Sequence, residues 1–325
     1  MRDLIVFGNG LGRSLDQDYF LLDRGLQEAW EDDEILDATG RELIARCISK
    51  DELLEGNEDT EWPTGENQLG ELQHVVSACD VILNFERDGG DGWLTEHGKS
   101  FPGAIRSFIH RTACYYHFFE DSLPKQFVAS LTDHILKSRS HIATLNYDDL
   151  LYREFIGTKV FSGFNCMIDG FSGAFSENNL ERMRPARQCY YLHLHGSPLF
   201  VTKSNGKIIK KSLSSIFHIA GHQSVHLVLT HIKFKPSIIE ASPVLSAYWS
   251  KLKEAVSEVD RITILGYGGG DTHLNREIRN SKKPVRIVER QTTKPIKKSK
   301  SQWTELLGSK PEIIRVPSIL EFTDW

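Results

Sequence analysis

The sequence predicts an α/β protein in which a doubly wound parallel sheet carries a large helical insertion after its first strand. Three observations predict it. The chain opens on a short continuous apolar run, Asp3–Phe7, that breaks at Gly8-Asn9-Gly10-Leu11-Gly12-Arg13-Ser14. A buried strand ending in a glycine-rich turn is how parallel sheets commonly begin. Residues 17–138 then carry helical apolar spacing and few strand signals. From His141 onward, short apolar runs alternate with helical stretches, as in parallel α/β sheets.

Within 17–138, apolar residues recur at helical spacing near Tyr19–Trp30, Gln68–Phe85, Phe101–Phe119 and Lys125–Lys137. A polar, acidic stretch with Pro63 and Gly65 separates the first from the second. A block of roughly 120 residues is too long for a structureless loop and reads as an inserted helical module. Strands return at His141–Leu145 and Cys189–Leu194, with a helix over Asp149–Phe155 between them. Leu199–Thr202 and Lys207–Ile209 read as a hairpin around Ser204-Asn205-Gly206, where Asn-Gly supplies the positive φ values of a tight turn. Val225–Leu229 reads as a strand and Ser237–Val259 as one long helix behind Pro236. Strands at Ile262–Leu265, Val285–Val288 and Ile313–Val316 alternate with helices at His273–Arg279 and Gln302–Leu307. The whole is read as one Rossmann-like domain over residues 1–325.

Composition excludes several classes. The 325 residues are 40% hydrophobic and 26% charged, which argues against a disordered tail, a collagen-like fibre and a disulfide-dense mini-domain. Five widely spaced cysteines (Cys47, Cys79, Cys114, Cys166, Cys189) contain no CxxC pair. They read as buried free thiols in a reducing compartment rather than a zinc ribbon. No apolar run approaches the ~20 residues of a membrane span, and the first is too short for a signal peptide, so a cytoplasmic protein without a membrane partner is expected. Charge is uneven: residues 1–61 hold 17 acids against 6 bases, and residues 201–311 hold 20 bases against 8 acids. That split favours head-to-tail assembly or one face for a polyanion, or is simply two solvated surfaces.

Ligands of open parallel sheets bind beyond the carboxyl ends of the strands. After the first strand comes Gly8-Asn9-Gly10, where small residues let backbone N–H groups approach phosphate oxygens. After the second comes Thr144-Leu145-Asn146-Tyr147-Asp148, whose Asn146 and Asp148 suit either a helix N-cap or a reacting site. After the third comes His193-Leu194-His195-Gly196-Ser197. Its two histidines share a strand face, but no further ligands stand at suitable spacing, and no metal is expected. A later strand ends at Gly266-Tyr267-Gly268-Gly269-Gly270-Asp271, and Glu289 ends the next, placed for a ribose or for pairing with Arg286 or Arg290.

The order of these sites resembles the NAD-binding fold of the sirtuins. The forms "TLNYDDLLY" (Thr144–Tyr152), "LHGS" (Leu194–Ser197) and "LGYGGGDTHLN" (Leu265–Asn275) are most similar to the bacterial sirtuin-like proteins of antiphage defence. The resemblance implies NAD as substrate, with Asn146 and His195 as the catalytic pair and Asp148 orienting ribose hydroxyls or the catalytic turn. It puts Gly8, Gly10 and Ser14 by the phosphates, Gly266, Gly268 and Asp271 on the adenosine side, and Glu289 by a ribose. Asn9, Thr144 and Gly196 complete the implied NAD-binding set. Two departures matter: the "GAGxS" loop of sirtuins is replaced by Gly8-Asn9-Gly10 with Ser14 further on, and the four-cysteine zinc module of the deacylases is missing.

These features favour hydrolysis of NAD to nicotinamide and ADP-ribose over acyl-lysine removal or ADP-ribosyl transfer. The resemblance further implies NAD depletion in abortive infection, a homo-oligomer, and a HerA-type motor ATPase as partner. Two readings of other classes stand beside it. One is a nucleotide-binding assembly subunit of an ATPase or nuclease complex. The other is nucleic-acid binding through the basic tract Arg290–Lys300, which has no aromatic until Trp303.

Overall fold

The first strand forms where the apolar run places it. In the computed structural model, which describes residues 1–48, 61–87, 89, 92–161, 167–219, 224–291 and 298–325, β1 (Asp3–Phe7) is buried along its whole length. Its pleat sends Leu4 and Val6 into one core and Ile5 and Phe7 into the other. Helices α1 (Leu22–Glu31), α2 (Ala38–Cys47), α3 (Gly70–Arg87), α4 (Glu96–Tyr115) and α5 (Lys125–Ser138) follow, with no strand between them among the described residues. α2 has no counterpart in the apolar spacing; the Asp37 side chain starts it by accepting from the Gly40 amide at 2.7 Å. The first four helices share a core of their own around Leu26, Trp30, Leu72, Ile105 and Phe108. The fifth instead lays Phe127, Leu131 and Ile135 against the sheet beside Ile5 and Phe7.

The remaining elements are β2 (His141–Thr144), α6 (Leu150–Phe155), β3 (Met167–Ile168), β4 (Phe171–Ser172), β5 (Ala174–Phe175), β6 (Cys189–His193), β7 (Phe200–Thr202), β8 (Ile208–Lys210) and α7 (Ile216–Ile219). Then come α8 (Lys235–Ala241), α9 (Pro243–Glu258), β9 (Arg261–Leu265), α10 (Thr272–Ser281), β10 (Val285–Arg290), α11 (Lys300–Leu307) and β11 (Glu312–Val316). The main sheet has the order β11-β10-β9-β1-β2-β6-β3, and every neighbouring pair is parallel. From β1 the chain lays β2, β3 and β6 on one side, with β6 between β2 and the edge strand β3, and then lays β9, β10 and β11 outward on the other. Helices cover both faces: α9, α10 and α11 bury Val244, Leu252, Leu274 and Trp303 on one, and α5 and α6 cover the opposite one. The sequence therefore makes a doubly wound parallel α/β sheet. A small antiparallel sheet, β4-β5-β8-β7, packs at its side.

Three expectations need correction. The hairpin β7–β8 is present, but among the described residues only Gly206 of its turn has positive φ (77°), not Asn205. Lys203 and Lys207 close the loop, and the glycine forms the bulge after an ordinary turn. Val225–Leu229 is not a strand. It crosses the end of β6 and makes one isolated bridge, Gly196 to Leu227, because it caps the sheet rather than extending it. The long helix is two helices. Pro243 holds Ser242 extended (φ −105°, ψ 115°), and the Ser242 hydroxyl caps α9 by accepting from the Leu245 amide. Of the cysteines, Cys79, Cys114 and Cys189 are buried and Cys47 is half-buried, while Cys166 lies outside the described residues.

Candidate active site

The carboxyl ends of β1, β2, β6 and β9 open into a cleft of about 800 Å³ at the place where the winding reverses, which is where open α/β sheets bind ligands. Gly8, Asn9, Gly10, Ser14, Asn146, Asp148, His195, Gly266, Gly268, Asp271 and Glu289 all line it. Thr144 and Gly196 do not. Thr144 accepts the Asn146 amide N–H on its hydroxyl at 3.0 Å and so shapes the turn that presents Asn146. Gly196 has a φ of 83°, and a Cβ there would lie 1.8 Å from the His226 carbonyl oxygen. Its role is to let residues 226–228 cross over the end of β6.

At the centre, Asn146 and His195 come from adjacent parallel strands, β2 and β6. Both Asn146 amide atoms are buried without a hydrogen-bond partner, a costly state for a side chain with donors and an acceptor. His195 Nε2 lies 2.9 Å from Asp271 Oδ2. A carboxylate only accepts, so the ring donates from Nε2, and Nδ1 is the basic nitrogen of the neutral imidazole. Asp271, which also lines the cleft, holds His195. Its Oδ1 caps α10 by accepting from the His273 and Leu274 amides. Burial raises the Asp271 pKa, but the His195 hydrogen bond, the charges of His195 and Lys235 and the Leu274 amide outweigh it and hold the carboxyl well below its usual range.

Asp148 also lines the cleft, and its Oδ1 accepts from the Leu150 amide at 3.1 Å, a turn rather than a helix cap. Burial, reinforced by the neighbouring Asp149 charge, pushes its pKa from 3.8 to about 7. The Asn146 amide opposes that rise, though its geometry falls short of a hydrogen bond. Asp148 thus titrates near neutrality, as groups that move protons often do.

The glycine-rich turns differ in what their backbone is free to do. The Gly8 and Gly10 amides are already committed, donating to the carbonyls of Leu265 at 3.0 Å and Gly266 at 2.8 Å. A Cβ on Gly10 would meet Gly266 Cα at 2.5 Å, so these glycines let the β1 and β9 turns interlock. The Ser14 hydroxyl donates to the Gly10 carbonyl and the Asn9 amide to the Phe20 carbonyl. The phosphate-cradling amides expected of Gly8 and Gly10 are thus spent on the fold. Gly269 packs against Trp303, but Gly268 and Gly270 line the cleft with nothing within 4 Å of where a Cβ would stand. Glu289 lies at the end of β10 and its Oε1 accepts from Arg315 at 2.9 Å, across the register pair Glu289–Arg315 rather than from Arg286 or Arg290.

The structure adds residues that the motifs missed. Lys235, only 3% exposed, places Nζ 2.9 Å from Glu66 Oε2 and 3.5 Å from Asp271 Oδ2. Tyr147 faces the His195 ring and donates to the Val228 carbonyl at 2.6 Å. Tyr267 accepts the Asp271 amide at 2.8 Å. Arg13, Arg290 and Lys298 bring positive charge to the cleft wall, and Lys298 donates to the Gly268 carbonyl. Two described members of the basic tract therefore face the cleft, while Lys294 and Lys297 lie outside the described residues. His193 lies apart, packed among Tyr152, Tyr191, Phe200 and Tyr248. Burial, with the nearby Lys210 charge, holds its pKa well below 6.5. Among the described residues no group of three or more His, Cys, Asp or Glu could hold a metal ion, and no helix is long and apolar enough to cross a membrane.

No protein-family model matches the chain, and no curated protein matches it. Among solved structures, one described as "Structural Basis for the Mechanism and Regulation of Sir2 Enzymes" is similar over 98% of this chain and 88% of that chain, at 11% identity and a TM-score of 0.39.

Proposed function

We propose that the protein hydrolyses NAD to nicotinamide and ADP-ribose. The observation that carries the reading is the buried, unpartnered Asn146 amide beside the His195–Asp271 pair, in a cleft at the reversal of the sheet. Cleavage of the nicotinamide–C1′ bond develops oxocarbenium character on the ribose, as glycoside cleavage does. The bond's electron pair leaves with nicotinamide, which departs neutral and needs no acid. The attacking water bonds to C1′ and loses its proton. Asn146 holds that water with its amide, His195 Nδ1 takes the proton, and Asp271 stabilises the imidazolium so formed. Gly268 and Gly270 let the dinucleotide run against backbone, and Arg13, Arg290 and Lys298 face its pyrophosphate. Asp148, protonated or charged around pH 7, hydrogen-bonds ribose hydroxyls.

We place this activity in antiphage defence, where unrestrained NAD loss would harm the cell itself. Activity is then gated by assembly, as a homo-oligomer with a HerA-type ATPase, and the opposite charges of the two ends of the sequence favour such packing. The test is incubation of purified protein with NAD, alone and with its assembly partner, and chromatography of the products. Nicotinamide and ADP-ribose in equal amounts support the reading. Nicotinamide release that depends on an acylated peptide would instead make it a deacylase.

A further inference from the structure

The cleft contains a buried lysine that none of the steps above uses. Lys235 opens α8, and its ammonium sits between Asp271 Oδ2 and Glu66 Oε2 at 3.5 and 2.9 Å. The Asp271 oxygen it approaches is the one that accepts from His195. Glu66 comes from the inserted helical segment, on a short turn (Glu66–Leu69) leading into α3. One buried carboxylate oxygen is thus shared by two cations when His195 is protonated, and a second carboxylate from a different part of the fold draws on one of them. Burying a lysine costs several kcal/mol unless it is paired. The ammonium and the His195 ring thus face the same Asp271 oxygen.

We propose that Lys235 is a positioning residue that sets the proton affinity of His195 through Asp271, and that Glu66 tunes it by drawing the ammonium toward the inserted helices. The groups that face His195 are Asp271 from the start of α10, the Tyr147 ring from the turn after β2, and Lys235 and Glu66 behind Asp271. Tyr116 stacks on Tyr147, Tyr267 contacts the Asp271 backbone, and Asp148 shares the cleft. Tyr116, Tyr267 and Asp148 place no cation on the Asp271 carboxylate, so Lys235 is the second one there. Removing the lysine leaves Asp271 Oδ2 to His195 and raises the proton affinity of the ring. Removing the Glu66 charge turns the lysine more fully onto Asp271 and lowers it. A shift of the helices that carry Glu66 would change the base in the same way.

The inference takes its interest from the hydrolase reading, but its test does not depend on NAD. The His195 imidazole of the full chain is titrated by NMR, its signal identified by its loss in His195→Gln. Lys235→Met is expected to raise the His195 midpoint by roughly one pH unit, the size of a nearby-charge effect. Glu66→Gln is expected to lower it, and Lys235→Arg to leave it close to the unchanged protein. Glu66→Gln keeps shape and sits on a partly exposed side chain, so it decides the matter even if Lys235→Met fails to fold. A midpoint that Glu66→Gln leaves unmoved or raises overturns the proposal. NAD cleavage measured separately reports on the hydrolase reading alone.

Discussion

Three glycine-bearing turns meet around the cleft, and their residues separate by what a methyl group would strike. At Gly196 it would overlap a carbonyl oxygen; at Gly268 it would meet nothing. Gly196→Ala should therefore unfold the chain or leave it insoluble. Gly268→Ala should keep the melting temperature or raise it slightly, since the change restricts the unfolded chain. NAD affinity by calorimetry should nevertheless fall at least several-fold. Unchanged affinity in a stable Gly268→Ala protein would remove this loop from the binding site. Asp148 offers a pH test. Its folded pKa of about 7 lies above the ordinary 3.8, so its stabilising contribution is complete below about pH 4 and is lost as pH rises to 7. Asp148→Asn escapes that loss. Its melting temperature relative to the unchanged protein should climb between pH 4 and 7 and level off above; a pH-independent difference would contradict the account. Both carboxylates were legible in the sequence, but the contact of Asp271 with His195 was not. The two lie 76 residues apart, and no local pattern encodes that meeting. Lys235 was invisible for the same reason, because a lysine beside a proline reads as surface until tertiary packing buries it.

At the scale of elements, the strands were legible because each buried parallel strand is a short apolar run with a turn behind it. β1 occupies the predicted residues, and β9 and β10 extend them by a residue or two. Failures came where a single residue overrides an apolar pattern. Pro243 splits an otherwise continuous helical pattern, and Ser242 then serves two elements. Its hydroxyl caps α9 and lies 2.8 Å from His226 Nδ1 under the segment that crosses β6. Ser242→Ala should cost about 1–2 kcal/mol in urea denaturation, the loss of a cap with a buried hydrogen-bond partner. An effect within a few tenths of a kcal/mol would mean that α9 starts without it. The apolar run Val225–Leu229 misled in a different way. Leu227, Val228 and Leu229 are buried, but by crossing the sheet end rather than joining its ladder, and apolarity reports burial without direction.

Across the whole molecule, the doubly wound sheet fixes where the chemistry can happen. The chain leaves β1 in one direction and returns in the other, and the crevice between the diverging turns collects side chains from β2, β6 and β9 ends. The inserted helices reach that crevice through Glu66, Asn67, Leu22 and Tyr116. The described helices of the insertion therefore supply part of its wall. The account stands or falls on whether the unpartnered Asn146 amide serves the reaction. The direct measurement is nicotinamide release from NAD by Asn146→Ala, with NAD affinity measured calorimetrically on the same folded sample. The account predicts affinity within a few-fold of the unchanged protein and a rate lower by about 100-fold or more, the scale of a lost water-positioning or proton-transfer group. Full turnover by a folded, NAD-binding Asn146→Ala protein would contradict it.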